Sequence, residues 1–130
     1  MSWHWVDRRA LDLLHDESIA EHGGASGVRD EGLLESALAR PKNLLAYGEP
    51  DVAALAAAYA FGLVKNHAFV DGNKRAAFLA VGMFLAINGC KLVTTQSEAT
   101  LAVLALAAGE IDEAEFAAWV RDRIKARDRH

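Results

Sequence analysis

The chain has 130 residues, a length that suits one domain of ordinary size. Hydrophobic residues make up 52% and charged residues 25%, which excludes intrinsic disorder and indicates a globular protein with its own core. The net charge of -4 excludes a general basic surface for a nucleic-acid backbone. The single cysteine excludes an internal disulfide and a zinc site built from cysteines.

The first half of the chain predicts three helices. Apolar spacing favours a first helix from Val6 to His22. Asp30 is a suitable N-cap for a second helix, and we expect Pro41 to end or kink it. Asp51 would cap a third helix, Val52–Asn66, which is apolar on almost every face and should therefore be buried.

The second half predicts three more helices. The fourth, from Asn73 to Asn88, is again mostly apolar, so the third and fourth helices should form a central buried hairpin. Thr95 has the spacing of a cap for a fifth helix, and Asp112 for a sixth that reaches about Lys125. We therefore predict an all-α fold, a compact single-domain bundle of about six helices over residues 1–130.

Several shorter features carry weaker predictions. Trp3 and Trp5 precede the first helix and would either staple the N-terminal segment to the core or meet a partner. Cys90 is expected to be a small buried apolar residue. A short extended piece is possible at Lys91–Thr94. The basic segment Arg121–Arg129 would either complement a helix dipole or make a weak nucleic-acid contact, and fraying is expected at its end, about 126–130.

Nothing in the pattern of apolar residues suggests a membrane protein. The N-terminal residues lack a basic stretch followed by an apolar one, which a secretory signal would have. The longest uncharged apolar run, Val52–Val64, is shorter than the roughly 20 residues that a membrane-spanning helix needs. We therefore expect a cytoplasmic protein.

A dense group of polar residues separates the two buried helices in the sequence. The group contains an imidazole, a carboxylate, a carboxamide, an ammonium and a guanidinium, carried by His67, Asp71, Asn73, Lys74 and Arg75. A simple connector between two apolar helices does not need this chemistry, so we expect a functional site in the loop. Phe69 is expected to point into the core and to anchor the loop.

The position of these residues before a helix favours phosphate binding. Gly72 allows a ligand to approach the backbone closely, and the free N–H groups and dipole of a helix start form an anion site. Asn73 can add a side-chain donor. Lys74 and Arg75 lie in the first turn, where cations are unfavourable for the helix unless an anion binds there.

Asp71 and His67 complete the inferred chemistry. A carboxylate beside a phosphate site commonly holds a magnesium ion, and a histidine can accept the proton of a hydroxyl near neutral pH. Together these residues predict phosphate transfer from a nucleotide–magnesium complex to a hydroxyl, with His67 as the base. A purely structural alternative is that Asp71 caps the fourth helix or pairs with Arg75, while His67 caps the third helix.

The loop carries a recognisable signature. The segment His67–Arg75 reads His-Ala-Phe-Val-Asp-Gly-Asn-Lys-Arg and resembles the Fic/Doc family motif, His-x-Phe-x-Asp/Glu-Gly-Asn-Gly/Lys-Arg. Its lysine variant resembles the Doc (death-on-curing) branch. The resemblance extends over most of the chain, from about residue 10 to 110, and includes His15-Asp16, Glu21–Gly24, Gly27–Leu38 and Phe84–Gly89.

The resemblance implies an all-helical toxin of a toxin–antitoxin pair. It implies that His67 is the catalytic base, that Asp71 holds Mg²⁺, and that the four residues following Asp71 bind the phosphates of ATP, namely Gly72, Asn73, Lys74 and Arg75. Most Fic enzymes transfer AMP and carry glycine where this chain has Lys74, and a second arginine where it has Phe78. The Doc branch departs in the same way and transfers the terminal phosphate to elongation factor Tu, which implies a protein kinase. AMP transfer is the near alternative.

The resemblance also predicts how the activity is controlled. The self-inhibiting motif of the family, Ser/Thr-x-x-x-Glu-Gly/Asn, is approached by Ser26–Gly32, but Glu31 lies one position late. We therefore expect inhibition in trans by a small antitoxin of the Phd type, with no direct binding of this chain to DNA. A non-catalytic, antitoxin-bound co-regulator and a helical nucleic-acid-binding domain remain as rival functions.

Overall fold

The computed structural model describes residues 2–127, and within them the chain forms six helices and one small sheet. The elements are α1 (Arg8–His22), α2 (Glu31–Ala46), α3 (Val52–Asn66), α4 (Asn73–Ile87), β1 (Cys90–Leu92), α5 (Gln96–Ala108), α6 (Glu113–Arg121) and β2 (Ile124–Ala126). The two strands pair in antiparallel orientation. The predicted all-α class is confirmed, and the sheet is a short addition to it.

Helix α3 is the centre of the molecule. It packs against α2, α4 and α6, and every residue from Leu55 to Ala60 is buried. Most of these residues are alanines, so neighbouring helices approach closely on all sides. The predicted buried hairpin of α3 and α4 is present, and it places the loop 67–72 between two rigid, buried elements.

The predicted N-caps are confirmed. The side chains of Asp30, Asp51 and Thr95 accept hydrogen bonds from backbone N–H groups three residues later. Asp112 and Glu115 form a reciprocal capping box at the start of α6. Helix α1 begins at Arg8, two residues later than predicted, because Asp7 caps it and holds the Val6 side of the chain outside the helix.

Of the two outcomes predicted for Pro41, a helix end or a kink, the helix end is wrong. Pro41 is buried inside α2, which continues to Ala46. A proline there cannot donate to the carbonyl of Ala37, four residues earlier. Gly62 of α3 lies against this carbonyl, since a Cβ at Gly62 would be 3.1 Å from the Ala37 oxygen. Close packing of α3 therefore stabilises a helix that local propensity alone would stop.

The prediction that the sixth helix reaches Lys125 is also wrong. Helix α6 ends at Arg121, and Ile124–Ala126 forms β2, with Ile124 opposite Leu92 of β1. Both apolar residues pack against the core, which favours a strand over a further helical turn. The interpretation of the tail as a basic helix end holds for Arg121, which lies in the last turn of α6, and not for the residues of β2. Residues 128–130 of the predicted tail lie outside the described residues.

The N-terminal segment is packed onto the core. The rings of Trp3 and Trp5 lie 6.1 and 5.9 Å from the ring of Phe84, centroid to centroid. The side chain of Asn88 accepts from the backbone N–H of His4 and donates to its carbonyl. These contacts support the stapling role of the two tryptophans.

Two further predictions concern burial and membranes. Cys90 lies in β1 and is half-buried, so it is less enclosed than the sequence suggested. Among residues 2–127, no helix combines the length and the apolar character that crossing a membrane requires.

Candidate active site

The loop 67–72 begins with a left-handed residue. Helix α3 ends at Asn66, and His67 follows with φ 47° and ψ 47°. Among the non-glycine residues described, His67 alone has positive φ. This conformation costs roughly 1–2 kcal/mol for a residue with a Cβ. It turns the chain sharply away from the helix, and His67 lines an open cleft at the start of α4.

The guanidinium of Arg29 bridges the end of α3. Its Nε donates to the His67 carbonyl at 2.8 Å, and its Nη2 donates to the Asn66 carbonyl at 3.1 Å. Both contacts are exposed, so each contributes less than the roughly 1.5–3 kcal/mol of a buried hydrogen bond to a charged group, but both act against the cost of the left-handed turn. Backbone hydrogen bonds also join this segment to the loop, since the N–H groups of Arg29 and Asp30 both donate to the Ala68 carbonyl.

The middle of the loop is held by hydrogen bonds to a buried side chain. Asn73, the first residue of α4, is buried, and its carboxamide accepts from the Phe69 N–H at 3.0 Å and donates to the Phe69 carbonyl at 3.1 Å. Phe69 is buried as predicted, and its ring stacks on that of His15 at 4.0 Å. The Asn73 carboxamide therefore holds the loop through its oxygen and its nitrogen, whereas the sequence predicted it as a donor to an anion.

His15 supports the loop from helix α1. It is 1% exposed, and its Nε2 lies 2.8 Å from the Asp71 carbonyl oxygen. Because a carbonyl only accepts, Nε2 must carry the proton in this contact. Sequence analysis assigned His15 no role in the site beyond its place in the family resemblance. His15 lies 56 residues before Asp71 in the chain, so their contact becomes visible only in the fold. The sign that His15 has a role is its burial as a single histidine in the structure.

The carboxylate of Asp71 faces a glycine-rich turn. One oxygen accepts from the N–H of Gly72 at 2.8 Å, and the other lies 3.4 Å from the N–H of Ala25. A Cβ on Gly24 would lie 2.7 Å from that second oxygen, so any residue other than glycine would displace the carboxylate from this position. Asp71 is not a side-chain cap of α4, whose N-cap is Gly72 without a side-chain bond.

Gly72 supplies the turn into α4. It has φ 72°, and a Cβ there would lie 3.0 Å from both His15 and Ile19. The glycine therefore serves both the positive φ and the close packing of the loop on α1. Behind it, the first turn of α4 presents the backbone N–H groups that an α-helix leaves without internal partners.

Arg75 of α4 contacts both helix α1 and the cleft. Its guanidinium donates to the carbonyls of Ser18 at 3.1 Å and Gly23 at 3.4 Å, and it still lines the cleft. Within the described residues no ion pair joins Arg75 to Asp71, so the structural alternative of an i,i+4 pair is not what the fold uses. Lys74 is exposed at the same helix start.

These residues surround one open cleft of about 350 Å³. Its lining consists of His67, Val70, Asp71, Gly72, Asn73, Lys74 and Arg75. One carboxylate and two cations thus face a helix N-terminus, an arrangement that suits a polyanion with a bound cation. A larger cavity, about 540 Å³, lies near β1 at the far end of α4 and contains none of the predicted site residues.

Magnesium would have to be shared with a ligand. Among the described residues, no three His, Cys, Asp or Glu side chains are grouped so that they could hold a metal ion. Asp71 is the one carboxylate in the cleft lining. Mg²⁺ commonly uses one or two carboxylates together with substrate phosphates, so Asp71 fits a magnesium ion that arrives with a nucleotide.

Comparison with known proteins agrees with the motif. The profile of the "Fic/DOC family" matches residues 5–85, which includes α1 to most of α4 and the whole loop. The chain belongs to the Fic/Doc family. It is 35% identical over 117 residues to a phage P1 protein named "Protein kinase doc", covering 89% of this chain and 92% of the relative. It is 47% identical over 91 residues to a protein from Mycolicibacterium smegmatis named "Toxin Doc", covering 68% and 67% respectively.

Proposed function

We propose that this Fic/Doc protein is a toxin that transfers the terminal phosphate of ATP to a hydroxyl of a target protein and thereby arrests translation. The observation that carries the proposal is the cleft, in which His67, Asp71 and the start of α4 converge. The names of the relatives support a Doc-type toxin and a kinase. The expected target is elongation factor Tu.

The residues of the cleft divide the proposed work. His67 lines the cleft, where its imidazole can accept the proton of the target hydroxyl. The hydroxyl oxygen then bonds to the terminal phosphorus, and ADP leaves with the bonding electron pair of the broken P–O bond. The first turn of α4, with Lys74 and Arg75, holds the phosphates by N–H donors and charge. The loop contacts of Asn73 and His15 keep these groups in fixed positions.

A magnesium ion held by Asp71 would neutralise phosphate charge when bound with ATP. Asp71 is well placed for this role because its backbone is fixed by His15 and its carboxylate lies at the cleft surface. The hydrogen bonds from Gly72 and Ala25 orient the two carboxylate oxygens before any ion arrives. Such second contacts commonly tune a metal ligand.

Transfer of phosphate is favoured over transfer of AMP by two positions on α4. Lys74 adds bulk and charge at the place where the AMP-transferring members carry glycine. Phe78 stands one turn later, where those members carry a second arginine, and it contributes an apolar wall to a small neighbouring pocket with Lys74 and Arg75. Without that second guanidinium, we expect the nucleotide to lie differently in the cleft.

Control of the activity is proposed to come from a separate small antitoxin of the Phd type. Glu31, which falls close to the self-inhibiting motif of the family, is engaged elsewhere, since it pairs with Arg8 of α1 at 2.8 Å. This contact directs Glu31 toward α1 and, together with its shifted position in the motif, supports inhibition in trans. A partner that covers the cleft in trans would supply the inhibition instead.

The test is the intact mass of purified elongation factor Tu after incubation with this chain, ATP and magnesium. A gain of one phosphate with wild-type chain, and none with His67→Ala, is the expected result. A gain of one AMP would replace the kinase with an AMP transferase of the same family. No gain with any nucleotide, combined with toxicity that survives His67→Ala in cells, would overturn catalysis and favour a non-catalytic regulator.

A further inference from the structure

The strained conformation of His67 raises the question of what maintains it. Left-handed non-glycine residues persist only where the surroundings hold them, and they concentrate at functional sites. His67 is both left-handed and the residue proposed to move the proton. Its φ and ψ set the direction of its side chain, so whatever fixes its backbone also fixes the imidazole in the cleft.

Arg29 makes the side-chain contact that spans this turn. Its two donors reach the Asn66 and His67 carbonyls at 3.1 and 2.8 Å, which belong to the two peptide groups that flank the Cα of His67. A planar guanidinium presents its donors in a rigid fork, so it can fix the relative orientation of two neighbouring carbonyls. In the described residues, no other side chain donates to the His67 carbonyl.

The base of this side chain is itself anchored to the loop. The backbone N–H of Arg29 donates to the Ala68 carbonyl at 2.7 Å, and its neighbour Val28 forms an isolated β-bridge with Phe69. Nearby, the N–H of Val70 donates to the Gly27 carbonyl at 3.0 Å. The segment between α1 and α2 thus runs along the loop 67–72. From this segment the Arg29 side chain reaches His67.

We propose that Arg29 is a positioning residue for His67: its guanidinium holds the left-handed turn and thereby aims the imidazole into the cleft. This inference rests on the proposed function for its catalytic consequence. The conformational part stands on the contacts alone. Arg29 does not line the cleft, so it acts on the reaction through His67 and not by touching the nucleotide.

A purely structural role for Arg29 predicts a different outcome. An arginine at a helix C-terminus stabilises the helix through its carbonyls and dipole wherever it occurs. If that were all, its removal would lower stability and leave the rate of the folded enzyme unchanged. If Arg29 positions His67, the folded variant is slower, because misplacing a reacting group by about 1 Å costs about a hundredfold in rate.

The variants are Arg29→Met, which keeps an unbranched stem without donors, and Arg29→Lys, which supplies one point charge without the fork. The matched control is Arg121→Met, because Arg121 pairs with Asp51 at the opposite end of the same helix α3. Each protein is measured for the His67 backbone conformation by NMR, through its intraresidue amide-to-Hα NOE, and for kcat and nucleotide KM of phosphate transfer.

We expect a graded response. In Arg29→Met the left-handed NOE of His67 weakens and kcat falls by about tenfold to a hundredfold, with nucleotide KM unchanged. Arg29→Lys recovers part of both, and Arg121→Met changes neither. If Arg29→Met does not fold, the Lys variant must still show a weaker NOE and a lower kcat.

Two results would overturn the proposal. One is a His67 that keeps its left-handed NOE in the folded Arg29 variants. The other is a kcat equal to that of wild type while only stability or KM changes. If the wild-type chain transfers no phosphate at all, the proposed function fails instead, and the NMR comparison still decides whether Arg29 holds His67.

Discussion

Gly24 controls the place of the Asp71 carboxylate. It has φ 115°, and a Cβ there would lie 2.7 Å from the Asp71 Oδ2. In Gly24→Ala the carboxylate, as the end of a flexible side chain, must move away. We expect a strain cost of about 1–3 kcal/mol and, in addition, a higher magnesium requirement for the proposed phosphate transfer. Urea unfolding and a magnesium titration of activity measure the two effects.

The matched control for this variant is Gly27→Ala. Gly27 has nearly the same φ, 108°, but a Cβ there would meet no atom within 4 Å. It therefore shares the backbone strain without touching Asp71, and only the loss of stability is expected. An equal magnesium requirement in the two variants would show that the contact with Asp71 has no effect on the ion.

Among single residues, those of the contiguous motif could be predicted from the sequence. The residues elsewhere in the chain that hold the motif in position could not. His67, Asp71 and Phe69 were found because a polar run interrupts two apolar helices, which is visible in the sequence. His15 and Arg29 lie far from the loop along the chain, and their roles depend on which face of α1 and which turn the fold brings beside it. The family resemblance covers both segments, but their local sequence assigns neither side chain a contact with the loop. The catalytic and ligand roles of the motif residues stay predictions.

At the scale of elements, the N-terminus of α3 gives a pH-dependent prediction. The Asp51 side chain caps the helix and also pairs with Arg121 at 2.7 Å. The hydrogen bond from this guanidinium is the main cause that holds the pKa of Asp51 below its usual range. A carboxylate with a lowered folded pKa stabilises the protein above its unfolded pKa, about 3.9, and loses that contribution as pH falls through the folded pKa.

Asp51→Asn keeps a capping oxygen and removes the charge. We expect it to lower the free energy of unfolding by a few tenths to about 1 kcal/mol at pH 7, since the pair is exposed. The difference from wild type should shrink as the pH is lowered below about 4. Urea unfolding from pH 3 to 7 measures it. In the Arg121→Met background, Asp51→Asn should cost less, and an undiminished cost would mean that the pair contributes nothing.

The elements that local signals define were predicted well, and those that tertiary contacts define were not. Four caps and the whole of α3 follow from residues within a few positions of each other. Pro41 lies inside α2, where Gly62 of another helix packs closely against the Ala37 carbonyl that a proline cannot donate to. Strand β2 exists because β1, more than thirty residues earlier, offers it an edge. Neither partner is visible from the segment itself.

At the scale of the whole molecule, α3 connects the N-terminal segment with the site. Tyr59 in the middle of α3 is buried, and its hydroxyl accepts from the backbone N–H of Val6 at 3.0 Å. Burial raises the pKa of this hydroxyl above the usual value of a tyrosine, so the neutral form persists to higher pH. The ring of Tyr59 also lies 5.3 Å from that of Phe84, the residue on which Trp3 and Trp5 pack.

Removing this one hydroxyl should therefore loosen the N-terminal segment without disturbing the cleft. In Tyr59→Phe the Val6 N–H loses its acceptor while the ring contacts remain, so we expect a loss of about 1 kcal/mol, equivalent to about 4 °C in Tm. The control is Tyr47→Phe, because Tyr47 is 92% exposed and should change Tm little. Calorimetry gives the Tm values, and hydrogen exchange at residues 3–6 should quicken only in Tyr59→Phe. Exchange that quickens equally in the loop 67–72 would show that the N-terminal segment and the site unfold as one unit, since the loop is otherwise held by α1, Asn73 and Arg29.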